Sequence, residues 1–293
     1  MKLFETLRIR AASAVRRQRA RVGVADRPAR LDVRLDDFDD DGVSMGAPLT
    51  LEQWHERVVE LLQWAGAMPV RVVARADHPF LAELVRFCHR LEMPVTVRTG
   101  PHGLSAARAA ELIDRGMARC ELVVPVFDDA ADGALRALVH GRNSRAASLT
   151  VHVHLVVSEA SAPAAASAYE RARALGVDGV VLAAPLRSAA LSASGQAGVR
   201  SALAVAWPLQ ATASVAAAAL PRLDGNGPGA PRIGGKCHLG GLRLALAADG
   251  SAYICPHKPG RCTGPLASVS EELAAHRKAI RGCDRHCAHP ELV

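Results

Sequence analysis

Residues 51–66 (LEQWHERVVELLQWAG), 69–74 (PVRVVA) and 78–100 (HPFLAELVRFCHRLEMPVTVRTG) run helix, strand, helix, strand with short connections, and that order decides the fold. The same alternation extends in both directions. Strands are expected at 31–35 (LDVRL), 69–74, 94–98 (PVTVR), 120–126 (CELVVPV), 149–157 (LTVHVHLVV) and 178–183 (DGVVLA). Helices are expected between them, at about 50–66, 79–92, 104–117, 129–141 and 162–175. Such a series implies right-handed crossovers and a parallel sheet, open or curled into a barrel. Ligands of such folds sit at the C-terminal ends of the strands. Hydrophobic residues make up 49% of the chain but aromatics only 3%, so Val, Leu, Ala and Ile must build the core, which suits strands buried on both faces.

A chain of 293 residues can bury one large core or two modest ones, and two unequal parts are expected here. The formal charge of +7 resides in residues 1–30, where nine Lys and Arg face only Glu5 and Asp26, leaving the rest neutral. Leu3, Phe4, Leu7, Ala11, Ala14, Val15 and Val22 recur there at helical spacing, giving a basic amphipathic helix that ends near Pro28. Such a helix suits an acidic partner, a membrane surface or the acidic stretch at 32–41 of its own domain, and it shares the Arg-rich, acid-poor character of a transit peptide. No apolar run reaches transmembrane length, and the opening segment has no secretory core. A cytoplasmic, reducing compartment is therefore expected, with cysteines serving as thiolate ligands in preference to disulfides. Basic patches interleaved with aromatics are absent, which argues against a specific nucleic-acid partner.

Cysteine is distributed unevenly. Residues 1–87 contain none, whereas Cys237, Cys255, Cys262, Cys283 and Cys287 crowd the last 57 residues. Ahead of them the run 224–235 (DGNGPGAPRIGG) reads as a linker. RLALA (243–247) and SAYIC (251–255) then flank Asp249 and Gly250 as a hairpin. A cysteine-dense tail behind an α/β segment points to a metal or iron–sulfur site in a terminal module.

The tail order, Cys237, hairpin, Cys255, a helical stretch at 268–281, then Cys283 and Cys287, resembles the SPASM or twitch auxiliary-cluster module of radical S-adenosylmethionine enzymes. The preceding segment is similar to the family's partial (β/α)6 TIM-type barrel. The resemblance implies a basic helix at 1–30, a barrel at 31–222, a linker at 223–235 and a cluster module at 236–293. It also implies a [4Fe-4S] cluster held by Cys237, Cys255, Cys283 and Cys287, with Cys262 as an alternative ligand. Zinc is the competing metal, because His238, His257, His286 and His289 lie nearby and zinc accepts mixed Cys and His ligands. The departures from the family fall on its chemistry. Where active members carry C-x3-C-x2-C after the first strand, this chain reads DDFDDDGVSM, and ARADHP at 74–79 replaces the glycine-rich turn that receives the methionine amino group. Cys88 and Cys120 fall on a helix and a strand, where they cannot substitute. The implied function is a catalytically silent relative, acting as partner, scaffold or electron-transfer subunit of an active radical enzyme or binding a peptide substrate.

Other constellations point elsewhere. Asp37, Asp39, Asp41 and Gly42 match the start of a calcium loop, but Pro48 stands where its glutamate is required. Arg75, Asp77 and His78 lie at a strand's C-terminal end, the usual place for barrel catalysis, although the same residues suit a turn and helix cap. His152 and His154 share a strand face, where they line a barrel interior, bind metal or pair with polar neighbours. SAM-independent chemistry at that end is thus an alternative function, and a zinc-stabilised structural or binding protein is another.

Overall fold

Six strands lie where the alternation predicts them: β1 (Arg30–Arg34), β2 (Val70–Val73), β3 (Val95–Thr99), β4 (Met117–Val124), β5 (Thr150–Val156) and β6 (Gly179–Ala183). Between them run α1 (Leu51–Ala65), α2 (Leu81–Arg90), α3 (Ala106–Asp114), α4 (Asp129–Ser144) and α5 (Ala165–Ala174). Three shorter strands follow, β7 (Ala213–Val215), β8 (Arg243–Leu246) and β9 (Ala252–Tyr253). The computed structural model describes residues 28–36, 46–145, 147–183, 192, 194, 195, 197, 201, 213–215 and 243–253.

Local chemistry explains the helix starts. Thr50 and Gln53 form a reciprocal capping box at α1, with the Gln53 amide donating to Thr50 Oγ1 at 3.3 Å and the Thr50 amide to Gln53 Oε1 at 2.9 Å. Asp128 caps α4 by accepting from the Ala131 amide at 2.9 Å, and Ser105 accepts from the Arg108 amide at 3.2 Å ahead of α3.

The described elements form two compact units. One is built around β1, β2, β3, β8 and β9 with α1 and α2, in the strand order β3-β2-β1-β8-β9. β1 pairs in parallel with β2, Leu31 opposite Val70, and on its other side with β8, Leu31 opposite Leu244. The second is built around β4 to β7 with α3, α4 and α5, in the parallel order β4-β5-β6-β7. Neither strand series closes on itself, and only the β8–β9 hairpin pairs antiparallel among the described ladders. The chain is thus an α/β protein of open, partial-barrel type.

Three differences from expectation have local causes. β4 starts at Met117, three residues early, because Gly116 (φ 103°) ends the helix segment in one step and Met117 is buried at once. It stops at Val124, since Pro125 has no amide to donate to the ladder. β7 arises within the alanine- and serine-rich stretch 211–219, which carries no strand periodicity. The expected hairpin forms, Ala245 opposite Tyr253 around Asp249 and Gly250, but its first strand also extends the main sheet beside β1.

Each unit has one apolar and one ionic strand face. By register, Leu31, Val33, Val70, Val72, Val95 and Val97 share a fully buried apolar face that matches the buried stripe of α1 and α2, including Trp54, Val58, Leu61, Leu84 and Val85. In the second unit Cys120, Leu122, Val124, Val151, Val153, Leu155, Val180 and Leu182 do the same. The alternate positions of β1, β4 and β5 carry charged or imidazole side chains (Asp32, Arg34, Arg119, Glu121, His152, His154), so these three strands are not apolar on both sides, whereas β6 carries Gly179, Val181 and Ala183 there.

Candidate functional site

Period-two alternation places Asp32 and Arg34 on the second face of β1, beside Arg71 of β2 and Arg98 of β3. Asp32 and Arg34 are wholly buried and Arg71 is 4% exposed. The Asp32 carboxylate accepts from Arg71 Nη2 and, at 2.8 Å, from Arg30 Nε. A carboxylate removed from water in this way is tolerable only because two guanidiniums hold it.

The β4–β5 face of the second unit carries a corresponding group. Arg119, Glu121, His152 and His154 lie on one side of adjacent strands, with Glu121 opposite His152 in register. Arg119 Nη2 lies 3.0 Å from His152 Nδ1. Because a guanidinium can only donate, that nitrogen is the acceptor and the imidazole is neutral. Burial is the main cause holding the His152 pKa below its ordinary value, with Arg119 adding to it against Glu121 and Asp178. His154 Nε2 lies 4.0 Å from Glu121 Oε2, and both residues are buried. His152 thus pairs with Arg119, as the polar-neighbour reading expects, while His154 Nε2 and Glu121 lie side by side beyond hydrogen-bond distance. Among the described residues no three His, Cys, Asp or Glu converge as a metal site.

Arg75, Asp77 and His78 form a self-contained turn. The Arg75 amide donates to Asp36 at 2.9 Å, the His78 amide to the Arg75 carbonyl at 3.0 Å, and the Phe80 amide to His78 Nδ1 at 3.2 Å. Arg75 and Asp77 are exposed, and the three do not gather around a common point. They lead β2 into α2, so the turn of the sequence reading forms, but the helix N-cap is Phe80 with no side-chain cap hydrogen bond. Cys237, Cys255, Cys262, Cys283 and Cys287, with the neighbouring histidines His238, His257, His286 and His289, lie outside the described residues. So do Asp37, Asp39, Asp41 and Gly42. Sequence reasoning passed over Asp32, Arg34, Arg71, Arg119 and Glu121, although the charged residue at every second position of LDVRL and VRVV was the available signal.

No family and no curated protein matches this chain by sequence. Solved structures match it in fold. The anSMEcpe complex with bound AdoMet and Cp18Cys peptide aligns with a TM-score of 0.56 at 12% identity, covering 87% of this chain and 84% of the other. Native anSMEcpe with bound AdoMet gives 0.54 at 11% identity over 83% and 79%. The chain shares the fold of these structures. At such identity the likeness carries architecture and no residue roles.

The sequence resemblance raises the question of a catalytic cluster, and the described thiols do not fit one. Cys88 and Cys120 are buried on α2 and on the apolar face of β4. Burial pushes each thiol up to about 12, so both stay protonated where a ligand must be a thiolate. No described helix is long and apolar enough to cross a membrane.

Proposed function

We propose that this chain is an iron–sulfur-binding, catalytically silent relative of radical SAM enzymes that works as the partner, scaffold or electron-transfer subunit of an active one. The observation that carries the reading is the end of β2. Where the resemblance calls for a glycine-rich turn open to the methionine amino group, ARADHP folds into a turn whose Arg75 and His78 amides are already bonded. The absence of any cysteine before Cys88 supports it, because an iron with an open coordination site needs three thiolates near β1. The β8–β9 hairpin supports the tail assignment, since its strands begin six residues after Cys237 and end two before Cys255, as an auxiliary-cluster hairpin would. Cys237, Cys255, Cys283 and Cys287 are its assigned ligands, with Cys262 in reserve. The basic segment at 1–30, expected from its sequence to be an amphipathic helix and lying outside the described residues up to 27, would offer the partner, or an acidic membrane surface, a docking element in the cytoplasm.

Anaerobic purification followed by iron, sulfide and zinc analysis tests the cluster: about four iron and four sulfide per chain are expected. Zinc without sulfide would overturn it in favour of a zinc-stabilised structural protein. Reduction with dithionite in the presence of AdoMet should yield no 5′-deoxyadenosine from this chain alone, and its formation would refute catalytic silence. Co-purification with a radical enzyme expressed alongside it tests the partner role.

The buried Glu121–His154 pair favours one second reading, SAM-independent acid–base chemistry on the β4–β5 face. That reading requires a turnover that Glu121→Gln abolishes without unfolding the chain.

A further inference from the structure

Three strands of the second unit meet at their N-terminal ends around one imidazole. His152 of β5 sits opposite Gly179 of β6 in the ladder, with Arg119 of β4 diagonal to it. The space is close-packed: a Cβ built on Gly179 would come within 2.9 Å of His152 Nδ1 and 3.0 Å of Cε1. The same junction is fastened by Asp178, whose Oδ2 accepts from the Val151 amide at 2.7 Å and from Arg142 of α4 at 2.7 Å. The Asp178 amide returns a bond to the Val151 carbonyl at 2.9 Å. Backbone and a permanent cation therefore both crowd the Nδ1 edge of the imidazole.

We propose that this junction is an acid-sensitive joint: a proton on His152 removes the acceptor of Arg119, sets two cations against each other, and loosens the β4, β5 and β6 strand ends together. The charged and titratable groups facing the ring are Arg119 and Glu121 from β4, His154 from β5 itself, and Asp178 at the entry to β6. Glu121 is engaged by Arg119 at 3.6 Å and lies 4.0 Å from His154 Nε2, and Asp178 is engaged by Arg142. The neutral ring is the form the fold selects, in line with a pKa below the ordinary 6.5. For such a group the contribution to stability is complete above the ordinary imidazole value. It is lost progressively as the pH falls from there towards the lower folded value.

Amide exchange of the full chain at about pH 7.5 and about pH 5.5, corrected for intrinsic rates, reads the joint directly. Peptides over 150–156 and 179–183 should exchange several-fold faster at the lower pH. His152→Gln keeps an oxygen acceptor for Arg119 but cannot titrate, so its exchange in those peptides should not respond to pH. An acid response that persists in H152Q, or none in the parent chain, overturns the proposal. Should H152Q fail to fold, Arg119→Gln gives a second reading. Removing the cation should raise the His152 pKa seen by NMR and shrink the acid response, and an unchanged His152 titration counts against the joint.

Discussion

Gly250 is a residue whose identity the structure constrains. Its φ of 75° lies in the left-handed region, and a Cβ there would come within 2.7 Å of Leu49 Cδ1. Gly250→Ala combines backbone strain with an apolar clash, so a loss of about 1–3 kcal/mol is expected, measured by denaturant unfolding. At Cys88 and Cys120 the consequence is chemical. Thiols pushed up to about 12 and sealed from solvent should resist alkylation of the native protein at mildly alkaline pH. Mass mapping after iodoacetamide treatment checks this, and modification of either before global unfolding would contradict the burial. The sequence already showed that these two cysteines could not stand in for cluster ligands, because one falls on an amphipathic helix and the other inside an apolar strand. It was silent about Arg119 and Glu121, whose importance comes from cross-strand register with His152, and register is not written in any local pattern.

Among the elements, α4 and α5 are joined by a carboxylate. Asp132 accepts from Arg136 Nε at 2.6 Å one turn along its own helix and from Arg171 Nε of α5 at 2.9 Å. The Arg136 hydrogen bond is the chief cause holding the Asp132 carboxyl below its ordinary value, and Arg171 adds to it. A depressed carboxylate contributes stability that is complete above its unfolded pKa and is lost as the pH falls through its folded value. Asp132→Asn should therefore flatten the acid side of the stability–pH curve while changing little once the pH has fallen below the folded value, with the effect reduced by the solvent exposure of both arginines. A curve for the variant that parallels the parent's across the acid range would contradict this. Helix positions were legible for a similar reason. Thr50, Gln53 and Asp128 are local signals that act within three residues, so α1 and α4 begin within one residue of where the sequence puts them. β7 was not legible, because Ala213–Val215 sits in a stretch with no alternation and is a strand only through its pairing with β6.

For the whole molecule, the order of the chain and the order of the sheet part company at one place. Within each unit the strands follow the expected succession, yet the neighbour on the other side of β1 is β8. Hydrophobic periodicity predicted both strands of the hairpin but could not predict this partner, since a parallel pairing between distant segments leaves no mark in either. A chain ending at residue 242 tests its worth. It lacks β8 and β9, and should leave Leu31 and Val33 on an unpaired apolar edge, giving aggregation or loss of cooperative unfolding. A truncated chain that stays monomeric and unfolds in one sharp transition would show that the hairpin is dispensable. The pairing also bears on synthesis. Arg243 follows Arg30 by 213 residues, so β1 leaves the ribosome early and waits for nearly the whole chain before its far side is covered. At roughly 5–20 residues per second that delay is on the order of ten seconds or more. During it an apolar strand edge is open to other nascent chains, which makes the yield of soluble protein sensitive to translation speed and to holdase chaperones.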